Sequence, residues 1–273
     1  MEGILVLKIV VAILGAIIFA FYDIFNKRTI PDKVAYSFFA LSLILTFFNN
    51  IETIEVSLIV AFAILGFGYL LYKEALLGLG DVIELASLSL LLPYFSPLYP
   101  SQLEAFAKIP FFVALFLNSG VFAVFLVSIY LPFKIKKIER KDRKTTVLAI
   151  LLFALYLLVA FLLRNMLSIF GIVFITFLGA CASILMIYSK DFKEGALKEV
   201  SIKELEIGDI IKPIPEKGIN EKLVTKQLIE KLQKKKIKKV MVYYNLPPFS
   251  LFILFGLIAG ILFGNILLWV AKI

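Results

Sequence analysis

Apolar residues run along this chain in long blocks instead of alternating singly with polar ones, and each block predicts a helix. The first covers residues 4–22; at about 1.5 Å per residue such a block reaches across most of a bilayer core of about 30 Å. Further blocks cover residues 34–48, 56–72, 82–94, 111–133, 145–163, 166–188 and 249–270. The pattern therefore predicts an all-α polytopic membrane protein with about eight transmembrane helices. The first block reads as a span and not as a removable signal peptide, because further spans follow at once and no small-residue cleavage site leads into a soluble domain.

Between residues 189 and 246 the pattern turns polar and rich in Lys and Glu. Within it, residues 204–211 predict a turn entering a strand, residues 222–235 an amphipathic helix and residues 238–244 a second strand. The expected organisation is a transmembrane core over 1–188, a small α+β cytoplasmic insert over 189–246, and a last transmembrane helix within 247–273 that opens on Pro247-Pro248. That helix carries Gly256, Gly260 and Gly264 at four-residue spacing, which predicts close helix packing.

Composition sharpens the class. The chain is 61% hydrophobic with a mean hydropathy of +0.98, beyond what a soluble domain carries. It has no histidine and one cysteine, Cys181, inside an apolar block. Zinc sites built on His-Glu-x-x-His, Ser–His pairs and Cys–His pairs all need an imidazole and are excluded. No cofactor or metal is expected, and a hydrolase built from this chain would have to work with carboxylates or a Ser–Lys pair.

The net charge is +9. If eight spans are counted, Lys27, Arg28 and Lys33, then Lys73, the cluster over 134–144 and the Lys-rich insert all fall on one side. Glu52 and Glu55 fall on the other. Excess Lys and Arg in short loops marks the cytoplasm, so both termini are expected outside. The basic loops read as topology signals that meet the lipid bilayer; without aromatic platforms they do not read as nucleic-acid sites.

The candidate chemistry lies in Leu77-Gly78-Leu79-Gly80-Asp81-Val82-Ile83-Glu84, a glycine-flanked aspartate at the mouth of an apolar block. A carboxylate there is costly to insert, about 2.5–3.5 kcal/mol at mid-span and less near the ends. Gly78 and Gly80 would let another backbone approach, or would cap one helix with Asp81 as the N-cap of the next. Asp23 ends the first block and falls on the same side as Asp81. Two facing carboxylates sharing one proton can activate water and polarise a peptide carbonyl. The bland alternative for Asp23 is an ion pair with Lys27 or Arg28.

Asp23 ahead of Arg28-Thr29-Ile30-Pro31-Asp32, together with Gly78-Leu79-Gly80-Asp81, resembles the GxGD aspartyl proteases of the type IV prepilin peptidase family, and within it the archaeal preflagellin and prepilin peptidases. The resemblance implies Asp23 and Asp81 as catalytic residues, with Gly78 and Gly80 as the motif glycines near substrate backbone. It implies a substrate that is a membrane-anchored pilin- or flagellin-like precursor, cut at the cytoplasmic face behind a short basic leader. Glu84, Glu74 and Asp32 are the candidates to meet that leader. Two departures stand out: the interval from Asp23 to Pro31 is one residue longer than the family pattern, and Val82 and Ile83 stand where many members carry a lysine. Presenilin-like and signal-peptide-peptidase-like proteases are the nearest alternative, although no Pro-Ala-Leu stretch is present. A proton-coupled transporter is the alternative outside proteolysis.

Overall fold

The computed structural model describes residues 2–26, 29–94, 110–134, 143–243 and 247–266. Its elements run α1 (Glu2–Phe25), α2 (Asp32–Thr46), α3 (Ile51–Lys73), α4 (Leu79–Leu91), α5 (Phe111–Lys134), α6 (Arg143–Leu162), α7 (Ile169–Gly195), β1 (Leu197–Ser201), α8 (Lys226–Lys234), β2 (Lys239–Tyr243) and α9 (Phe249–Phe263). Among the described residues, five helices are long and apolar enough to cross a membrane: α1, α3, α5, α6 and α7. Three others that the hydropathy blocks predict as spans, α2, α4 and α9, have only 15, 13 and 15 residues, short of the ~20 a bilayer core asks for.

The short helix α4 is covered by protein, and α9 is covered on one face, with Phe255, Ile258 and Phe263 exposed on the other. Every residue of α4 from Val82 to Leu91 is buried, because the helix packs against α1, α2, α3, α5 and α9. It stops where Pro93 would next be needed as a donor. Its serine hydroxyls are satisfied locally, as a water-poor interior demands. Ser87 donates to the carbonyl of Ile83, and Thr46 at the end of α2 donates to that of Leu90. The helix α9 lies against α5 and α1. A Cβ on Gly256 would collide with the Ser119 hydroxyl and backbone, and one on Gly260 with the Phe111 ring. The glycine stripe thus serves packing. Asn118 of α5 clamps the far end of α9, donating to Gly264 O at 2.8 Å and accepting from Ile266 N at 3.0 Å.

Local rules explain the helix boundaries. Asn50 caps α3 by accepting from Thr53 N. That helix closes at Ala75, whose φ of 55° lies in the left-handed region. Leu76 N reaches Leu71 O and Ala75 N reaches Tyr72 O, the two bonds of a Schellman ending. The left-handed residue that ends α3 is therefore Ala75, just past the C-cap Glu74, and not a motif glycine. At the opposite end of α1 from Asp23, Lys8 is buried and donates to the Asn49 side-chain oxygen, tying α1 to the exit of α2.

The polar segment has a core of its own, built from Ile211, Val224, Leu228, Leu232, Val240, Val242 and their neighbours. The strands β1 and β2 pair antiparallel, Leu197 opposite Tyr243 and Ser201 opposite Lys239. On the other side of β2, Ile211 bridges Val242. The structure corrects two sequence expectations here. The helix α8 begins only at Lys226, because Thr225 caps it and Leu223 bridges Ile210 upstream. The strand expected over 204–211 is reduced to bridges at Ile210 and Ile211, and the strand that pairs with β2 is instead β1, over 197–201, where the sequence carries no clear alternation. The loop over 95–109, the basic cluster over 135–142 and the end of the last block, 267–270, lie outside the described residues.

Candidate active site

Asp23 lies in the last turn of α1 and is only 6% exposed. A carboxylate there faces the unsatisfied carbonyls of its own helix end, an unfavourable place for negative charge. The start of α9 offsets this. Pro248 is the N-cap of α9 and Ser250 follows in its first turn, so the Ser250 amide has no partner within its own helix. It donates to Asp23 Oδ2 at 3.0 Å. The C-terminal end of one helix is thereby neutralised by the N-terminal end of another.

Asp81 is the third residue of α4, not its N-cap; Gly78 is. The Asp81 carboxylate reaches back, and its Oδ2 accepts from Gly78 N at 3.3 Å. A Cβ on Gly78 would sit 2.7 Å from that oxygen, so glycine leaves the carboxylate room. A Cβ on Gly80 would sit 2.7 Å from the Ile30 side chain. The Ile30-Pro31 turn thus lies directly on the glycine motif, and the two stretches singled out in the sequence meet in space.

The other Asp81 oxygen, Oδ1, accepts from the Ser250 hydroxyl at 3.1 Å. One buried serine therefore touches both aspartates: its amide serves Asp23 and its hydroxyl serves Asp81. Nothing in the local sequence singles out Ser250, one of several serines inside apolar helices.

Glu84 lies one turn beyond Asp81 and is fully buried. Its carboxyl faces Asp81, Ser250 and Asp23, yet neither oxygen has a hydrogen-bond partner among the described residues. Three carboxyl groups thus converge at the junction of α1, α4 and α9. Among the described residues, no group of three or more His, Cys, Asp or Glu side chains is arranged to hold a metal ion. The remaining candidates stand apart. Glu74 caps the end of α3 and Asp32 opens α2, both exposed. Beside Glu74, the Lys73 ammonium lies over the Tyr69 ring at 4.9 Å. Lys27 and Arg28, the alternative partners for Asp23, lie outside the described residues.

No curated protein and no solved structure matches the chain. Residues 10–131, a little under half of it, match the type IV leader peptidase family model. That stretch contains Asp23, the Ile30-Pro31 turn, the glycine motif and Asp81, so the similarity to type IV leader peptidases falls on the part of the chain that carries both aspartates.

Proposed function

We propose that this protein is a membrane aspartic endopeptidase that removes short basic leaders from type IV pilin-like or archaeal flagellin precursors. The observation that carries the reading is that Asp23 and Asp81, both within a segment similar to leader peptidases, converge on Ser250 of α9. The match supports a leader peptidase; the aspartic mechanism rests on the two carboxylates.

In this reading one carboxylate of the pair takes a proton from water as that water attacks the scissile carbonyl. The other, protonated, hydrogen-bonds to the carbonyl oxygen and later hands its proton to the leaving amine. The pair titrates as a unit, so the two roles belong to the dyad. The precursor's apolar helix lies in lipid beside the bundle. Its leader passes Glu74 and Asp32 at the surface on the way to the pair, and Glu84 lies deeper, within reach only of a chain that has entered between α4 and α9. The helices α2, α4 and α9 complete eight spans with the five long ones. The basic loops and the insert over 189–246 face the cytoplasm, and both termini lie outside.

The test is cleavage of a short-leader pilin or flagellin precursor in membranes by the wild type, Asp23→Asn and Asp81→Asn. These changes remove charge and keep shape. Folded variants without activity support the reading; cleavage at the wild-type rate by either overturns it in favour of the transporter alternative.

A further inference from the structure

We infer that Ser250 is the positioning residue of the catalytic pair. Its hydroxyl sets the place of Asp81 while its amide sets that of Asp23. The inference deepens the proposed peptidase reading and rests on it.

The other buried serines show why Ser250 differs. Ser42, Ser57, Ser87, Ser119 and Ser183 each donate to the carbonyl four residues back on their own helix. This is the usual way a hydroxyl inside an apolar helix satisfies itself. Ser250 stands in the first turn of α9, just past the cap Pro248, where no helical carbonyl lies behind it. Its hydroxyl turns outward and takes Asp81 on α4, although Ser250 is fully buried and the distance along the chain is 169 residues.

The helix that carries Ser250 is held in register at its middle and at its exit. Gly256 seats it on the backbone of α5, and Asn118 clamps its exit. A shift of α9 along its axis would break these contacts together with both serine bonds. The titratable groups that face the hydroxyl are Asp81 and Glu84 from α4 and Asp23 from α1. The described part of α9 adds no charged side chain. One hydroxyl proton thus stands among three carboxyl groups; its hydrogen bond goes to Asp81 Oδ1 at 3.1 Å, with the Glu84 carboxyl also beside it.

Removing the hydroxyl takes from Asp81 its bond to α9, while the bond from Gly78 N within its own helix start stays. A displacement of about 1 Å in a reacting group costs on the order of 10²-fold in rate. The experiment compares wild type, Ser250→Ala, Ser250→Thr, Ser250→Cys and Asp81→Asn on the full chain in membranes, measuring kcat, KM and the pH–kcat profile on a short-leader precursor. The expected result is that Ser250→Ala lowers kcat about 10- to 100-fold, changes KM less than about twofold and displaces one limb of the pH profile. Ser250→Thr, which keeps the hydroxyl, restores the profile. If Ser250→Ala fails to fold, Ser250→Cys, close in size and a weak donor, carries the same comparison. An inactive Asp81→Asn beside a folded Ser250→Ala (or, failing that, Ser250→Cys) whose kcat and pH profile superpose on wild type overturns the positioning role and leaves the peptidase standing. An Asp81→Asn that cleaves normally removes both.

Discussion

The junction of α1, α4 and α9 and the polar insert over 197–243 handle charge in opposite ways. In the insert the ionisable groups sit outside: Glu221 meets Lys231 at 2.5 Å and Glu199 meets Lys239 at 2.9 Å, all four well exposed. The apolar side chains there turn inward around Leu232 and Ile211. In the membrane half, large apolar residues such as Phe62, Phe67 and Ile150 point outward, while Asp23, Glu84, Asn118 and Ser250 are buried. Exposed ion pairs cost little and stabilise little. A buried carboxyl is expensive unless something repays it, so the few charges inside the helical half are the informative ones.

If that contrast holds, the largest effects come from the smallest changes at the junction. Asp23→Asn or Asp81→Asn should reduce precursor cleavage by at least about 10³-fold, in line with losing a member of an acid–base pair. Thermal melting in detergent should fall by no more than a few degrees. A variant that loses its fold along with its activity would make the two carboxylates structural.

The insert tests the contrast from the other side. Leu232 is fully buried there, and Leu232→Ala should destabilise that unit by about 2–5 kcal/mol. Limited proteolysis should then cut within residues 197–243 while precursor cleavage in membranes stays within about tenfold of wild type. Parallel loss of cleavage would mean that the insert holds the site in place through α9, and that the two regions are one functional unit.

A smaller effect is expected at the clamp of α9. Asn118→Leu leaves Gly264 O and Ile266 N without the partners they now have, at a cost of about 1–3 kcal/mol for each buried group left unpaired. Cleavage should fall less than for the aspartate variants, with KM and kcat both changed as α9 loosens. An unchanged melting temperature would show that water reaches this end of the helix.

The smallest effect lies on the surface of the insert. The Lys231 ammonium and nearby backbone amides hold the Glu221 carboxyl below its ordinary value of 4.5. A depressed folded-state value means that the contribution to stability is present above the unfolded value and is lost as pH falls through the folded one. The group is exposed, so Glu221→Gln should cost under about 1 kcal/mol at neutral pH. The difference from wild type should vanish below the folded-state value. A larger loss, measured by chemical denaturation of the insert, would place this surface pair on the same footing as the buried groups.

Hydropathy alone located the helices, because leaving or entering lipid is a property of each segment taken by itself. The predicted blocks over 4–22, 56–72 and 111–133 correspond to α1, α3 and α5. It could not tell the burial of α4 against protein from burial in lipid, because the two look the same in sequence. The start of α8 was misplaced because the amphipathic pattern continues back through Leu223 and Val224, which pair as extended chain. The site was half legible: a carboxylate at the edge of an apolar block stands out wherever it occurs, but the glycines, read as room for another backbone or as caps, here make room for side chains, Ile30 at Gly80 and the Asp81 carboxylate at Gly78.

By itself, then, the sequence determined which segments are apolar, how few charges they carry and that Asp23, Asp81 and Glu84 are among them. The tertiary structure alone decided that these carboxyl groups share one junction and that Ser250, 227 residues from Asp23 along the chain, sits between the two aspartates. The physical reason is that hydropathy and capping are local. A serine's partner depends on which helix end lies opposite it, and only packing brings the start of α9 to the end of α1.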